Sequence, residues 1–151
     1  KESAVTAFSY LRARAGKLGL PDDFLAKIDV HIHLPEGALP KDGPSSGLTI
    51  LVALASMLTR LEPRVDTATT GEITLRGHVL RVSGIKEKCL AAHRAGIERV
   101  IIPRDNEADL EEVPAEVRNA LDIRLVGRID EALALAMHEP FREAAASPSQ
   151  A

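Results

Sequence analysis

The sequence predicts an α/β (α+β) domain in which helices pack against a layered mixed sheet. Three observations carry that expectation. The later half of the chain alternates short β-branched runs, at residues 99–103 and 123–126, with segments of helical period. Gly96 and Pro114 punctuate the junctions between those segments. The chain has 151 residues and a hydrophobic fraction of 45%, but only 3% aromatics, so one core built from Leu, Ile, Val and Ala is within reach.

Residues 2–17 read as an amphipathic helix. Val5, Phe8, Leu11 and Ala15 recur at helical spacing, Arg12, Arg14 and Lys17 are polar, and Gly16, Gly19 and Pro21 end it. Residues 29–34, Asp-Val-His-Ile-His-Leu, alternate and are rich in β-branched side chains, so they read as a strand. Residues 35–44 are a loop by composition. A buried helix follows over about residues 45–60, nearly apolar on every face. Residues 67–84 read as two short strands around an Arg76-Gly77 turn.

Residues 85–96 form a helix with Gly96 as its stop, and residues 99–103 a strand. Two short helices are expected over 106–113 and 114–121, the second with Pro114 at its first position. A strand over 123–126 and a helix over 129–138 complete the pattern, and the tail frays after Phe141. No internal repeat is present.

Composition excludes several classes of function. The net charge is −3 with both signs interspersed, and no basic block offers a footprint for nucleic acid. With no Trp and few other aromatics, stacking platforms are not expected. One cysteine, Cys89, excludes an internal disulfide and suits a reducing compartment. The longest apolar stretch, residues 48–58, is too short to span a bilayer, and no signal peptide precedes it. The chain opens without Met in a pattern already helical, which suggests a piece of a longer protein.

The chemistry-bearing stretch is residues 39–48, Leu-Pro-Lys-Asp-Gly-Pro-Ser-Ser-Gly-Leu, set directly before the apolar helix. A helix start carries unpaired N–H groups and positive dipole character. A serine there can cap the helix, the favoured reading of this stretch taken alone. It can also act as a nucleophile whose oxyanion is cradled by nearby N–H groups. Gly43 and Gly47 would let a substrate backbone approach closely, and composition does not choose between Ser45 and Ser46.

A nucleophile needs a base. His31 and His33 share one face of the expected strand, but two histidines are too few for zinc, so no metal is expected. On the helix over 85–96, Ile85, Cys89 and Ala92 mark the apolar face at about 100° per residue. Lys88 falls between Ala91 and Ala92 and close to Ala95, whereas Lys86 falls beside Leu90 and His93. Burial would lower the Lys88 pKa and give a neutral amine able to take a serine proton. On the wheel alone, a surface lysine with a snorkelling stem is favoured.

These signals sit inside a resemblance. The stretch HIHLPEGALPKDGPSSG (31–47), followed by TTGEITLRGHVLRVSGIKEKCLAAHRAGIERVIIPRDN (69–106), resembles the proteolytic domain of bacterial-type, ATP-dependent Lon proteases. The likeness runs from about Lys1 to His138, with several motifs in the right order.

It implies Ser45 as nucleophile and Lys88, the second lysine of Lys-Glu-Lys, as general base. It further implies that Thr70 hydrogen-bonds near the pair and orients the lysine, and that Asp42 shapes the site, a simple turn residue being the alternative. His33 would lie on the strand that feeds the site. The departures are Ser46 for the usual Ala, Ser83 for the first glycine of a pair, and Arg81 for a proline.

The resemblance implies a serine endopeptidase with a Ser-Lys dyad, hydrolysing unfolded or damaged proteins in cytoplasmic quality control. It implies a homo-oligomer, a hexameric ring, with no nucleic acid or membrane required. ATP and Mg would serve an upstream ATPase, since this chain lacks G-x-x-x-x-G-K-[ST], and no cofactor or metal is expected here. Residues 1–141 would then be the proteolytic domain, lacking its early strands, and 142–151 a disordered tail. The alternatives are a catalytically inactive ring-forming module of a related ATPase and a histidine-dependent or metal hydrolase using His31 and His33.

Overall fold

The structure, a computed structural model, describes residues 2–33 and 45–138. The loop expected over 35–44 and the tail over 142–151 therefore lie outside the described residues. Helix α1 covers Glu2–Ala13 and buries Ala7, Tyr10 and Leu11, whereas Val5, expected on the apolar stripe, is 60% exposed. It stops short of residue 17. The chain turns instead through Gly16 and Gly19, the latter at φ 69, with Leu20 N–H bonded to the Ala15 carbonyl at 2.8 Å. A short 3-10 turn, Phe24–Lys27, follows.

The strand expected over 29–34 is not formed at residues 29–33. Their alternation supplies β propensity, but a strand exists only through a ladder, and none of the described strands pairs with this segment. Asp29, His31, Ile32 and His33 are exposed, while Val30 packs against the core.

Helix α2, Gly47–Thr59, buries Gly47, Leu48, Ile50, Leu51, Val52, Leu54 and Ala55. Its other face is open, with Ala53 and Met57 exposed, so it is buried on one side and not all round. Arg60 ends it in the left-handed conformation at φ 59, a common way to close a helix.

Residues 67–84 hold three strands where two were expected. Strand β1 (Thr67–Thr69) joins a parallel sheet, whereas β2 (Glu72–Ile73) and β3 (Val79–Leu80) form an antiparallel hairpin. The hairpin turns at Gly77, φ 88, whose N–H bonds the Thr74 carbonyl. Helix α3, Ile85–Arg94, buries Ile85, Cys89 and Ala92, the face predicted from the helical period. It closes on Gly96, φ 74: Gly96 N–H bonds the His93 carbonyl at 3.2 Å and Ile97 N–H the Ala92 carbonyl at 3.0 Å.

Strands β4 (Arg99–Pro103) and β5 (Asp122–Val126) complete the parallel sheet in the order β1-β4-β5. Between them lie a 3-10 helix, Arg104–Glu112, in place of the short helix expected over 106–113, and helix α4, Ala115–Ala120. Pro114 caps α4 from one residue outside rather than opening it. Helix α5 covers Ile129–Ala136.

Side chains alternate across β4 and so divide the interior in two. Ile101 faces a cluster built from α1, α2, α5 and the hairpin; Val100 and Ile102 face a second cluster with Cys89, Val113, Val117 and Leu121. The result is a sheet with helices on both faces, an α/β layering of parallel and antiparallel strands. Among the described residues no helix is long and apolar enough to cross a membrane.

A candidate active site beyond the end of the first strand

Strand β1 continues past Thr69 for one residue, with Thr70 N–H bonded to the Ile101 carbonyl at 3.1 Å. The chain then turns at Gly71 against the start of α2. Gly71 N–H bonds the Ser45 carbonyl at 3.0 Å, and the Gly71 carbonyl accepts Leu48 N–H, also at 3.0 Å. Only glycine permits this approach, because a Cβ there would lie 2.7 Å from Val79 Cγ1. A free N–H of the α2 start is thus satisfied by backbone. Ser46 holds the cap position but makes no side-chain cap bond, so the capping use of that hydroxyl is not realised.

Thr70 is one of two buried polar side chains among the described residues, at 6% exposure. Its hydroxyl lies 3.4 Å from the Ser45 carbonyl, to which it donates, and accepts a hydrogen bond from Lys88 Nζ at 3.0 Å. Lys88 Nζ also donates to the Ser83 carbonyl at 3.0 Å. The lysine is half-buried, and desolvation lowers its pKa below the ordinary value of 10.5. A neutral amine has two N–H donors and one lone pair. With Thr70 and Ser83 taking both donors, the lone pair is left over for a proton.

Ser45 and Lys88 border one cleft of about 610 Å³, walled by Thr70, Ala91, Ala92 and Ala95. Lys88 shares that wall with the small side chains that the wheel placed beside it. A second cleft of about 530 Å³ meets the first at Ser45 and carries Lys86, Glu72, Arg81 and Glu112 on its walls. Among the described residues Lys88 reaches Ser45 through Thr70, with no direct bond from Nζ to the Ser45 hydroxyl.

The other expected residues stand elsewhere. Asp42 lies outside the described residues. His33 is exposed and lines a neighbouring apolar groove with His31, Thr49 and Met57; of these, Thr49 also borders the Ser45 cleft. Among the described residues no group of three or more His, Cys, Asp or Glu side chains could hold a metal ion.

Two participants have little signal in the sequence. The Ser83 carbonyl is backbone. Asn106, the other buried polar side chain, is a lone amide among Arg104, Asp105, Glu107 and Asp109. Its one hint is that an uncharged polar residue interrupts a charged run directly after a strand.

Residues 1–139 match the family described as Lon protease (S16) C-terminal proteolytic domain. Among curated relatives, the chain is 60% identical over 134 residues to Lon protease 1 of Sorangium cellulosum, covering 89% of this chain and 16% of that protein. It is 58% identical over 139 residues to a Lon protease of Anaeromyxobacter dehalogenans, covering 92% of this chain and 16% of the relative. With a Lon protease of Desulforamulus reducens the identity is 54% over 139 residues, 92% of this chain and 17% of the relative. The chain thus spans about a sixth of the length of these relatives.

Proposed function

From the premise that the chain belongs to the Lon protease (S16) C-terminal proteolytic domain family, we propose that it is a serine endopeptidase domain working through a Ser45–Lys88 dyad. One observation carries this reading: a half-buried lysine with a depressed pKa shares a cleft with Ser45, and a buried threonine touches them both.

Neutral Lys88 takes the proton of the Ser45 hydroxyl as its oxygen attacks the scissile carbonyl carbon. The carbonyl π electrons move to oxygen, and the resulting anion is met by backbone N–H donors around Asp42 to Ser45, ahead of the positive start of α2. Collapse breaks the C–N bond, and the Lys88 ammonium returns its proton to the leaving amine. Water then repeats the sequence on the ester, with Lys88 again as base, which releases the acid and restores Ser45. In the intact protein, the reading extends to unfolded or damaged protein substrates, a cytoplasmic setting, a hexameric ring, and ATP with Mg used by a separate ATPase region. His33 lines the groove that adjoins the Ser45 cleft at Thr49, so its place in this scheme is at the approach to the site.

Ser45→Ala and Lys88→Ala in the intact protein should each lower peptide hydrolysis by roughly 10³-fold or more, while Lys86→Ala keeps turnover near wild type. A serine-directed phosphonate should label Ser45. Full activity in Lys88→Ala would overturn the dyad, and absence of labelling would favour the inactive ring-forming module.

A further inference from the structure

Val82 lies between β3 and α3, outside the ladders of the described strands. Its backbone is nevertheless fully paired. Val82 N–H donates to Asn106 Oδ1 at 3.1 Å, and Asn106 Nδ2 donates to the Val82 carbonyl at 2.8 Å. The amide thus stands in for a neighbouring strand. It is fully buried, and its Nδ2 also donates to Asp109 Oδ2, while Oδ1 of that carboxylate takes Arg81 Nη2 at 2.8 Å.

The next two residues hold the lysine. The Ser83 carbonyl accepts from Lys88 Nζ, and the carbonyl of Gly84, at φ 75, accepts the Lys88 backbone N–H at 3.0 Å. Resting on the dyad reading above, we propose that Asn106 is a positioning residue for Lys88: by gripping both backbone groups of Val82 it aims the Ser83 carbonyl at the amine, and so sets where the lysine lone pair points.

The argument is one of linkage through short, stiff steps. Peptide planes are rigid: Asn106 holds the Val82–Ser83 plane and the Lys88 backbone N–H holds the Gly84–Ile85 plane, so the Ser83–Gly84 plane that carries the Ser83 carbonyl is tethered at both ends. Thr70 alone would let Nζ pivot about one hydrogen bond; two acceptors define a direction. Asparagine is suited to the task because it offers a donor and an acceptor at once. Aspartate at this position would set an acceptor against the Val82 carbonyl and a second charge against Asp109.

The test measures peptide hydrolysis across pH in the intact protein. Asn106→Ala should lower kcat by about 10- to 100-fold, as expected for a misaimed catalytic group, with KM changed less than about twofold. The midpoint of the alkaline rise should also move up towards the ordinary lysine value, because an unpinned segment lets water reach the amine. Tyr10→Phe provides the comparison for a purely structural loss: it removes a bond to Asp130 in the opposite layer and should lower thermal stability with the pH midpoint unchanged.

Should Asn106→Ala not fold, Asp109→Ala removes one of the amide's three bonds at a half-buried site and should show the same two changes, a few-fold in size. Wild-type kcat and pH midpoint in folded Asn106→Ala, or in Asp109→Ala where the first does not fold, would overturn the proposal. So would an equal pH shift in Tyr10→Phe. Failure of the dyad reading looks different, since Ser45→Ala would then retain activity whatever Asn106 does.

Discussion

A lysine amine with two fixed acceptors has its working form chosen by its surroundings. Desolvation disfavours the Lys88 ammonium, so the neutral base is populated at a lower pH than for a free lysine. Activity should therefore rise with pH through the depressed lysine pKa and then level off. The same pH profile retained in Lys88→Ala would show that another group sets the rise. The same shift bears on stability with a definite sign. Below the folded-state pKa the buried ammonium costs stability in full; that cost fades as pH climbs towards the unfolded value, so this group makes the fold more stable as pH rises. Thr70 supplies the second residue-scale prediction. Thr70→Val keeps the shape but removes the acceptor for Nζ, at about 1–3 kcal/mol for an unmade buried bond, so turnover should fall roughly 10- to 100-fold. Thr70→Ser keeps the hydroxyl and should stay within a few-fold of wild type. Equal losses in the two variants would show that packing at this position matters, not the hydrogen bond.

Among the elements, two glycines separate assembly of the site from stability of the fold. At Gly71 an added Cβ meets Val79 at 2.7 Å, and Val79 is itself buried, so the β1–β2 junction must move away from α2. Gly71→Ala should cost about 1–3 kcal/mol and also reduce turnover sharply, because Thr70 and Ser45 lose register with each other. At Gly96 nothing lies within 4 Å, and only the backbone, at φ 74, resists a side chain. Gly96→Ala should cost about 1–2 kcal/mol yet leave kcat unchanged, which activity assays at a temperature well below the melting transition would show. What the sequence made legible also divides at this scale. The buried stripe of α3, the place of Lys88 beside Ala91, Ala92 and Ala95, and the strand Arg99–Pro103 follow from local periodicity and were readable. Residues 29–33 carry equally good alternation but no ladder, and pairing is a long-range property that alternation cannot report. The split of β1 from the hairpin was hidden for the same reason: it depends on β4 lying beside Thr67–Thr69. Asn106 is the extreme case, since its role exists only because the backbone of Val82, 24 residues away, ends opposite it.

In the molecule as a whole, the candidate site draws its two principal side chains from opposite layers. Ser45 precedes α2, which packs with α1 and α5 on one face of the sheet; Lys88 sits on α3, which packs with α4 on the other. They meet beyond the carboxyl end of β1, where open α/β sheets commonly bind ligands. Such a site survives only if the layers fold as one unit, and adjacent residues of β4 make that coupling physical. Ile101 anchors one layer and Ile102 the other, so neither can loosen without pulling on the shared strand. The chain carries its own reporter for each side: Tyr10, its single tyrosine, is buried in the first layer, and Cys89, its single cysteine, in the second. In a denaturant titration of the 151-residue chain, loss of the Tyr10 fluorescence signal and exposure of the Cys89 thiol to a thiol reagent should share one midpoint. Ile101→Ala and Ile102→Ala, each costing about 2–5 kcal/mol, should move both signals together. If Cys89 became reactive at a clearly lower denaturant concentration than the tyrosine transition, the layers would be separable. Lys88 could then leave the site while Ser45 stayed, and a site assembled across the sheet would need some other element to hold it together.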